Sequence, residues 1–190
     1  MRYAKDQKEQ TRARILAAAT RLLLHRGFEG AGIEPIMAAA KLTRGGFYGH
    51  FASKEALESA TLSRIMEVTR ARLFAAAPAE RSGGALRNIV DAYLSETHRD
   101  HVEEGCALPT LSADVARRTP DTRKTYEAEL LLVVAELEAR VDDDDGEMPS
   151  FDRALALVAL LAGGVALARA VRNKALSARI LAACRRFALR

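Results

Sequence analysis

Two short segments joined by almost nothing set the strongest limit on what this chain can become. Residues 32–54 read GIEPIMAAAKLTRGGFYGHFASK. Residues 33–40 form a short apolar helical pattern, Lys41 and Leu42 leave room only for a tight turn, and a second short helix is expected from Thr43 to about Phe51. Two short helices across so tight a turn make a helix-turn-helix, whose second helix can enter the major groove of DNA.

That second helix has an odd composition. Gly45, Gly46 and Gly49 fall close together, and each interior glycine costs a helix about 1 kcal/mol relative to alanine. Places where local rules fail are often functional sites. Phe47 and Phe51, four apart, point to the core and leave Arg44, Gly45, Tyr48 and His50 for the outer face. Arginine can pair with guanine edges or phosphate, and tyrosine and histidine can donate to phosphate. Glycine lets backbone approach the groove. A glycine-rich loop between two core helices is the alternative that composition leaves open. Ser53 reads as the N-cap of the next helix, with Lys54 directly after it. A cation is disfavoured at the positive end of a helix dipole; a DNA phosphate beside Lys54 accounts for it, and so does simple solvent exposure.

These residues also carry a resemblance. Arg14 to Ala19, Gly27-Phe28, Ile33 with Ile36, the run from Leu42 to Phe51, and Ser53-Lys54-Glu55 closely resemble the TetR family of transcriptional repressors. The similarity runs from about Arg12 to Leu57 and agrees in order, type and spacing. It implies an all-α homodimer with an N-terminal DNA-binding domain, a variable ligand-sensing domain, and a long helix joining them. The family pattern usually carries a Ser or Thr near Ala31 or Gly32; this chain has neither, so its second helix is expected to lack a side-chain cap.

Charge suits a polyanion partner at one end, and an ordinary solvated basic face accounts for it as well. Of the net +4, residues 1–54 hold +6 and the remainder −2, a basic head on a slightly acidic body. Leu and Ala dominate, tryptophan is absent, and aromatics are 5%, which favours helix over sheet. The polar N-terminus has no apolar stretch of signal-peptide length. The longest charge-free apolar run, 154–168, is shorter than the roughly 20 residues that span a bilayer. The two cysteines, Cys106 and Cys184, do not suggest a disulfide scaffold. A cytoplasmic protein with no membrane partner is expected.

Along the chain, a polar arm over 1–10 leads into a first helix over about 8–26, with Ile15, Ala18, Ala19 and Leu22 as its apolar stripe and Gly27 as its C-cap. The fourth helix is expected to run from Ser53 to about 76, closed by Pro78, with a linker over 79–84. The fifth carries Leu86, Ile89, Val90, Tyr93, Leu94 and Thr97 on one face, with His98 and His101 near its end. Two histidines without a third ligand do not make a metal site. Cys106 lies just ahead of a helix containing Pro109, a position that favours thiolate; Gly105-Cys106 is similar to the branch of the family that includes electrophile and oxidant sensors. A cysteine packed between helices is the alternative. A seventh helix follows Pro120, and the aspartates at 142–145 end it as a solvated acidic loop without calcium-loop spacing. Helices over 151–172 and 176–187, with the first apolar nearly all round, are expected to meet their symmetry mates as a four-helix dimer interface, Leu161 included.

The expectation is an all-α chain of about nine helices: a helix-turn-helix domain over 1–54, then a ligand-sensing and dimerisation domain over 55–190. It would act as a ligand-responsive repressor on a palindromic double-stranded DNA operator. Thr43, Arg44, Gly45, Tyr48, His50 and Lys54 would bind DNA. Cys106, Met66, Phe74, Tyr93, Thr97 and Tyr126 would meet a small-molecule or electrophile inducer. No cofactor, metal or catalytic set is expected, since no nucleophile–base–orienter group or phosphate loop appears. An all-α dimeric small-molecule-binding protein or scaffold without a DNA role is the competing function.

Overall fold

The computed structural model describes residues 2–75, 83–141 and 148–190. Pro78, most of the expected linker and the aspartates at 142–145 lie outside them. Every regular element among the described residues is helical, with no strand among them: nine α-helices and two short 3-10 segments.

Helix α1 (Arg2–Gly30) begins earlier than expected, its first residues being ordinary helix formers. It buries Ile15, Ala18, Ala19, Leu23 and Leu24. The regular helix breaks where the sequence places its cap, at Gly27, whose φ of 66° is left-handed. A Cβ there would also lie 2.5 Å from Asp114 Oδ2, so this corner of the head sits directly against the body. Helix α2 (Ile33–Ala39) starts at Gly32 with no side-chain cap. It ends in paired backbone bonds, Lys41 N–H to Ala38 O and Leu42 N–H to Met37 O, both 2.9 Å. This is a Schellman closure with Lys41, at φ 56°, where glycine is usual.

The second segment of the helix-turn-helix is not an α-helix. Arg44–Gly49 winds as a 3-10 helix, with Gly46 N–H bonded to Thr43 O at 3.1 Å and His50 N–H to Phe47 O at 2.9 Å. Three glycines in so short a stretch lower α-helix propensity, and 3-10 winding suits pieces of this length. Phe47 and Phe51 stack with centroids 5.8 Å apart and are buried with Phe28, Ile36 and Met37. Each such burial contributes about 1.5–3 kcal/mol. Arg14 donates to Ala40 O at 2.7 Å, and the Arg12 guanidinium covers the Phe51 ring at 4.6 Å, which tie α1 to both halves of the motif.

Helix α3 (Lys54–Ala75), capped by Ser53 Oγ accepting from Ala56 N–H at 3.1 Å, packs on both α1 and α7. The expected fifth helix is two. Helix α4 (Gly83–Tyr93) stops, and Ser95 caps a new short helix α5 (Glu96–Asp100) by accepting from His98 N–H at 3.0 Å. Apolar spacing alone runs through this break; the serine cap makes it. A 3-10 turn (Val102–Glu104) leads to α6 (Ala107–Val115), then α7 (Pro120–Glu138), α8 (Ser150–Ala170) and α9 (Lys174–Ala188). About nine helices were expected and nine α-helices form among the described residues, but α5 stands in the tally where the helix over 43–51 was expected.

Helices α8 and α9 pack on one another, and α7 also packs on α8. The approach is close at Gly164, where a Cβ would stand 2.9 Å from Cys184 Sγ. Leu161 turns inward and is 2% exposed, so it belongs to the chain's own core rather than to an outer face. The outward apolar residues are Phe151, Leu155, Leu167, Leu176 and Phe187. Helix α8 is the one described helix long and apolar enough to cross a membrane by composition; Ala154, Leu157, Val158, Val165 and Ala168 bury its inner side in the fold.

Candidate nucleic-acid interface and thiol centre

The exposed face of the head carries Thr43, Arg44, Gly45 and Tyr48, with Tyr48 67% exposed although Phe47 beside it is fully buried. The two rings meet edge-on at 5.1 Å, so the buried phenylalanine fixes the direction of the outward tyrosine. His50 is half-buried, and its Nδ1 has no hydrogen-bond partner. A Cβ at Gly45 or Gly49 would meet nothing within 4 Å, and neither has positive φ. Nothing among the described residues therefore requires glycine at either position. Lys54, in the first turn of α3, has a side chain one-third exposed (33%) and stands 3.4 Å from the buried Glu58 carboxylate. Glu55 beside it is held below the usual carboxyl range by its own backbone N–H and by Ser53, with Lys54 and Arg118 adding smaller attractions.

The second locus lies in the body. Cys106 is the N-cap of α6, its Sγ accepting from Leu108 N–H at 3.4 Å, and it is 2% exposed. Burial pushes its thiol above the ordinary range, although Tyr93, the Leu108 N–H and Arg169 pull the other way. The sequence position suggests a thiolate; the structure reverses this, because desolvation outweighs a helix N-terminus here. The Tyr93 hydroxyl is buried against Cys106 without a well-formed hydrogen bond. Burial first, then Cys106, drives its pKa well up. Tyr126 lies within electrostatic reach and shares a 2.6 Å hydrogen bond with Ser112. Arg169 closes the region by donating to His98 O at 2.7 Å, Arg99 O at 2.9 Å and Thr110 Oγ1 at 3.0 Å. Sequence reasoning missed Arg169, which looks like an ordinary helix-end arginine.

Next to this centre a cleft of about 370 Å³ is lined by Thr69, Leu73, Tyr93, Thr97, His98 and His101 among others. His98 Nδ1 lies 2.7 Å from Tyr93 O, and His101 Nδ1 lies 2.9 Å from Thr97 O. Carbonyl oxygens only accept, so both Nδ1 atoms carry the proton. Burial lowers the His98 pKa. Of the expected ligand residues, Cys106, Tyr93 and Tyr126 come together around the thiol, and Tyr93 and Thr97 line the cleft. Met66 and Phe74 are core residues, Phe74 lying beneath the Arg140 guanidinium at 4.9 Å. Among the described residues no group of three His, Cys, Asp or Glu is placed to hold a metal.

The family model for bacterial regulatory proteins of the tetR family matches residues 15–61. The HTH-type transcriptional repressor NemR of Escherichia coli K12 is 31% identical over 144 residues, covering 73% of this chain and 71% of that protein. The chain belongs to the TetR family. The HTH-type transcriptional regulator TcmR of Streptomyces glaucescens is 30% identical over 151 residues, 75% of this chain and 66% of that one. The crystal structure of reduced E. coli NemR superposes with a TM-score of 0.73 at 26% identity, covering 92% and 95% of the two chains. A TetR regulator from Chloroflexus aurantiacus reaches 0.78 at 23% identity over 97% and 94%, a likeness of fold. As a TetR-family chain this protein is a DNA-binding transcriptional regulator and not an enzyme. The matched segment contains the whole helix-turn-helix and the first turns of α3.

Proposed function

We propose that the chain is a ligand-responsive repressor that binds a palindromic operator as a homodimer and is released by an inducer. The observation that carries the DNA assignment is the pair of glycines, Gly45 and Gly49, flanking the exposed Tyr48 with no internal need for glycine. A surface pressed against another molecule supplies that need. Thr43, Arg44, Gly45, Tyr48 and His50 read the groove and its edges, and Lys54 meets a phosphate. The dimer is supported by the outward apolar residues of α8 and α9, which nothing among the described residues covers. A two-fold dimer places two recognition segments about 34–36 Å apart, one turn of the duplex. The protein acts in the cytoplasm, where its operator is.

The inducer is a small, mostly apolar molecule in the cleft beside Tyr93 and Thr97, or an electrophile captured by Cys106. A neutral His98 offers the first kind a hydrogen-bond acceptor. For the second, the Cys106 sulfur adds to the electron-poor carbon of an activated double bond, whose π bond breaks and whose other end takes up the proton the thiol releases, so that nothing leaves; the E. coli NemR structure is of a named reduced form. Either ligand weakens operator binding by as much as it prefers the conformation that binds DNA poorly. Selection from a random duplex library tests the function. Recovery of a two-fold-symmetric site with half-sites one turn apart is expected; recovery of no enriched sequence at low salt would contradict it.

A further inference from the structure

Two cations contend for one buried oxygen at the joint between head and body. Glu58 lies one turn along α3 from Lys54 and is 5% exposed. Its Oε1 is 3.4 Å from Lys54 Nζ and 3.9 Å from Arg118 Nη1. Arg118 stands just beyond the end of α6, its N–H bonded to Val115 O at 2.9 Å. The same guanidinium reaches the head, with Nη2 2.6 Å from Glu29 Oε1 and Cζ 4.9 Å above the Phe28 ring. Its Nε is buried and makes no hydrogen bond, so this arginine is not fully satisfied where it sits. Asp114, which accepts from Arg117 at 2.6 Å, occupies the space a Cβ at Gly27 would need. The foot of α6 thus touches the head at three points, and the top of α6 is Cys106.

We propose that Arg118 and Glu58 are positioning residues for operator binding: Arg118 supplies the countercharge that Glu58 needs, and so releases Lys54 to the DNA backbone. The proposal rests on Lys54 meeting a phosphate. A buried carboxylate left without a cation is strongly unfavourable. With Arg118 docked, Glu58 keeps a partner when Lys54 turns to DNA. When an inducer shifts α6 and withdraws Arg118, Glu58 holds Lys54 instead, and one phosphate contact is lost on each half-site. Glu29 and Phe28 set how firmly Arg118 stays docked. The exposed Glu55 is too well solvated to replace Glu58 as the competing anion.

Salt dependence of operator binding tests this, because each phosphate contact contributes about 0.9 to the slope of log affinity against log salt. Fluorescence anisotropy on a selected duplex would compare wild type with Lys54→Gln, Arg118→Gln, Arg118→Lys, Glu58→Gln and the double Glu58→Gln/Arg118→Gln. Arg118→Gln is expected to weaken binding about tenfold and to lower the slope as Lys54→Gln does. Arg118→Lys is expected to retain wild-type behaviour. The double variant is expected to recover affinity and slope to within about twofold, since a glutamine at 58 does not hold Lys54. A double variant no better than Arg118→Gln, or an unchanged slope in Arg118→Gln, would overturn the proposal while leaving the repressor assignment intact. An unchanged slope in Lys54→Gln would remove Lys54 from the DNA contacts and the proposal with it.

Discussion

At the residue scale, environment decides chemistry more than sequence position does. Cys106 caps a helix, yet its burial raises the thiol pKa. Only the thiolate attacks, so its reactivity at a given pH is lower than that of an exposed thiol. Alkylation of Cys106, followed by peptide mass spectrometry in a Cys184→Ser background, is therefore expected to speed up about tenfold per pH unit from pH 7 to 9. A plateau below pH 8 would show a thiolate already formed. Gly45 makes the complementary case. With open space around a Cβ there, Gly45→Ala is expected to stabilise the fold by about 0.4–1 kcal/mol through reduced unfolded-state entropy, yet to weaken operator binding several-fold. A variant both more stable and equally tight would place the DNA elsewhere.

At the scale of elements, apolar periodicity and terminal residues made most of the helices legible. Gly27, Ser53, Pro120 and the 8–26 stripe each mark a boundary or face that the structure uses. Three features were not legible. Ser95 splits one apolar pattern into α4 and α5, because a serine cap is a local signal that periodicity overrides on paper. The segment Arg44–Gly49 winds as 3-10, because three glycines and a single buried anchor, Phe47, do not sustain an α-helix. Leu161 faces inward, because a helix apolar all round does not say which side meets its own chain. In the candidate sites, Tyr48 stands on the exposed face as expected, while Arg118, Glu58 and Arg169 matter through contacts far apart in sequence that no local pattern encodes. The α2 turn offers a test at this scale. Lys41 sits at φ 56°, which costs a side-chain-bearing residue roughly 1–2 kcal/mol; glycine avoids that at an entropy cost of about 0.5–1 kcal/mol. Lys41→Gly is expected to raise Tm by a few degrees, and a lower Tm would show that Lys41 holds the turn by contacts of its own.

At the scale of the molecule, the head is fastened to the body through α3 and through the foot of α6, and α8 with α9 presents an outer apolar face. A two-site regulator needs two states that both ligands distinguish; the proposed dimer on that face and the proposed shift of α6 would supply them. Leu167, 61% exposed on α8, separates interface from core: Leu167→Glu is expected to sediment as a monomer with helix content unchanged, whereas Leu161→Glu buries a charge and unfolds the chain. A Leu167→Glu variant that remains dimeric would move the interface elsewhere.

We propose that this protein meets DNA through the glycine-flanked face around Tyr48. The most direct test is an anisotropy titration of one selected duplex with wild type and Tyr48→Ala, both shown to be folded dimers by sedimentation. Salt-sensitive binding by wild type, weakened several-fold or more in Tyr48→Ala, is the expected result. Equal affinity for the two proteins would place the DNA on another surface.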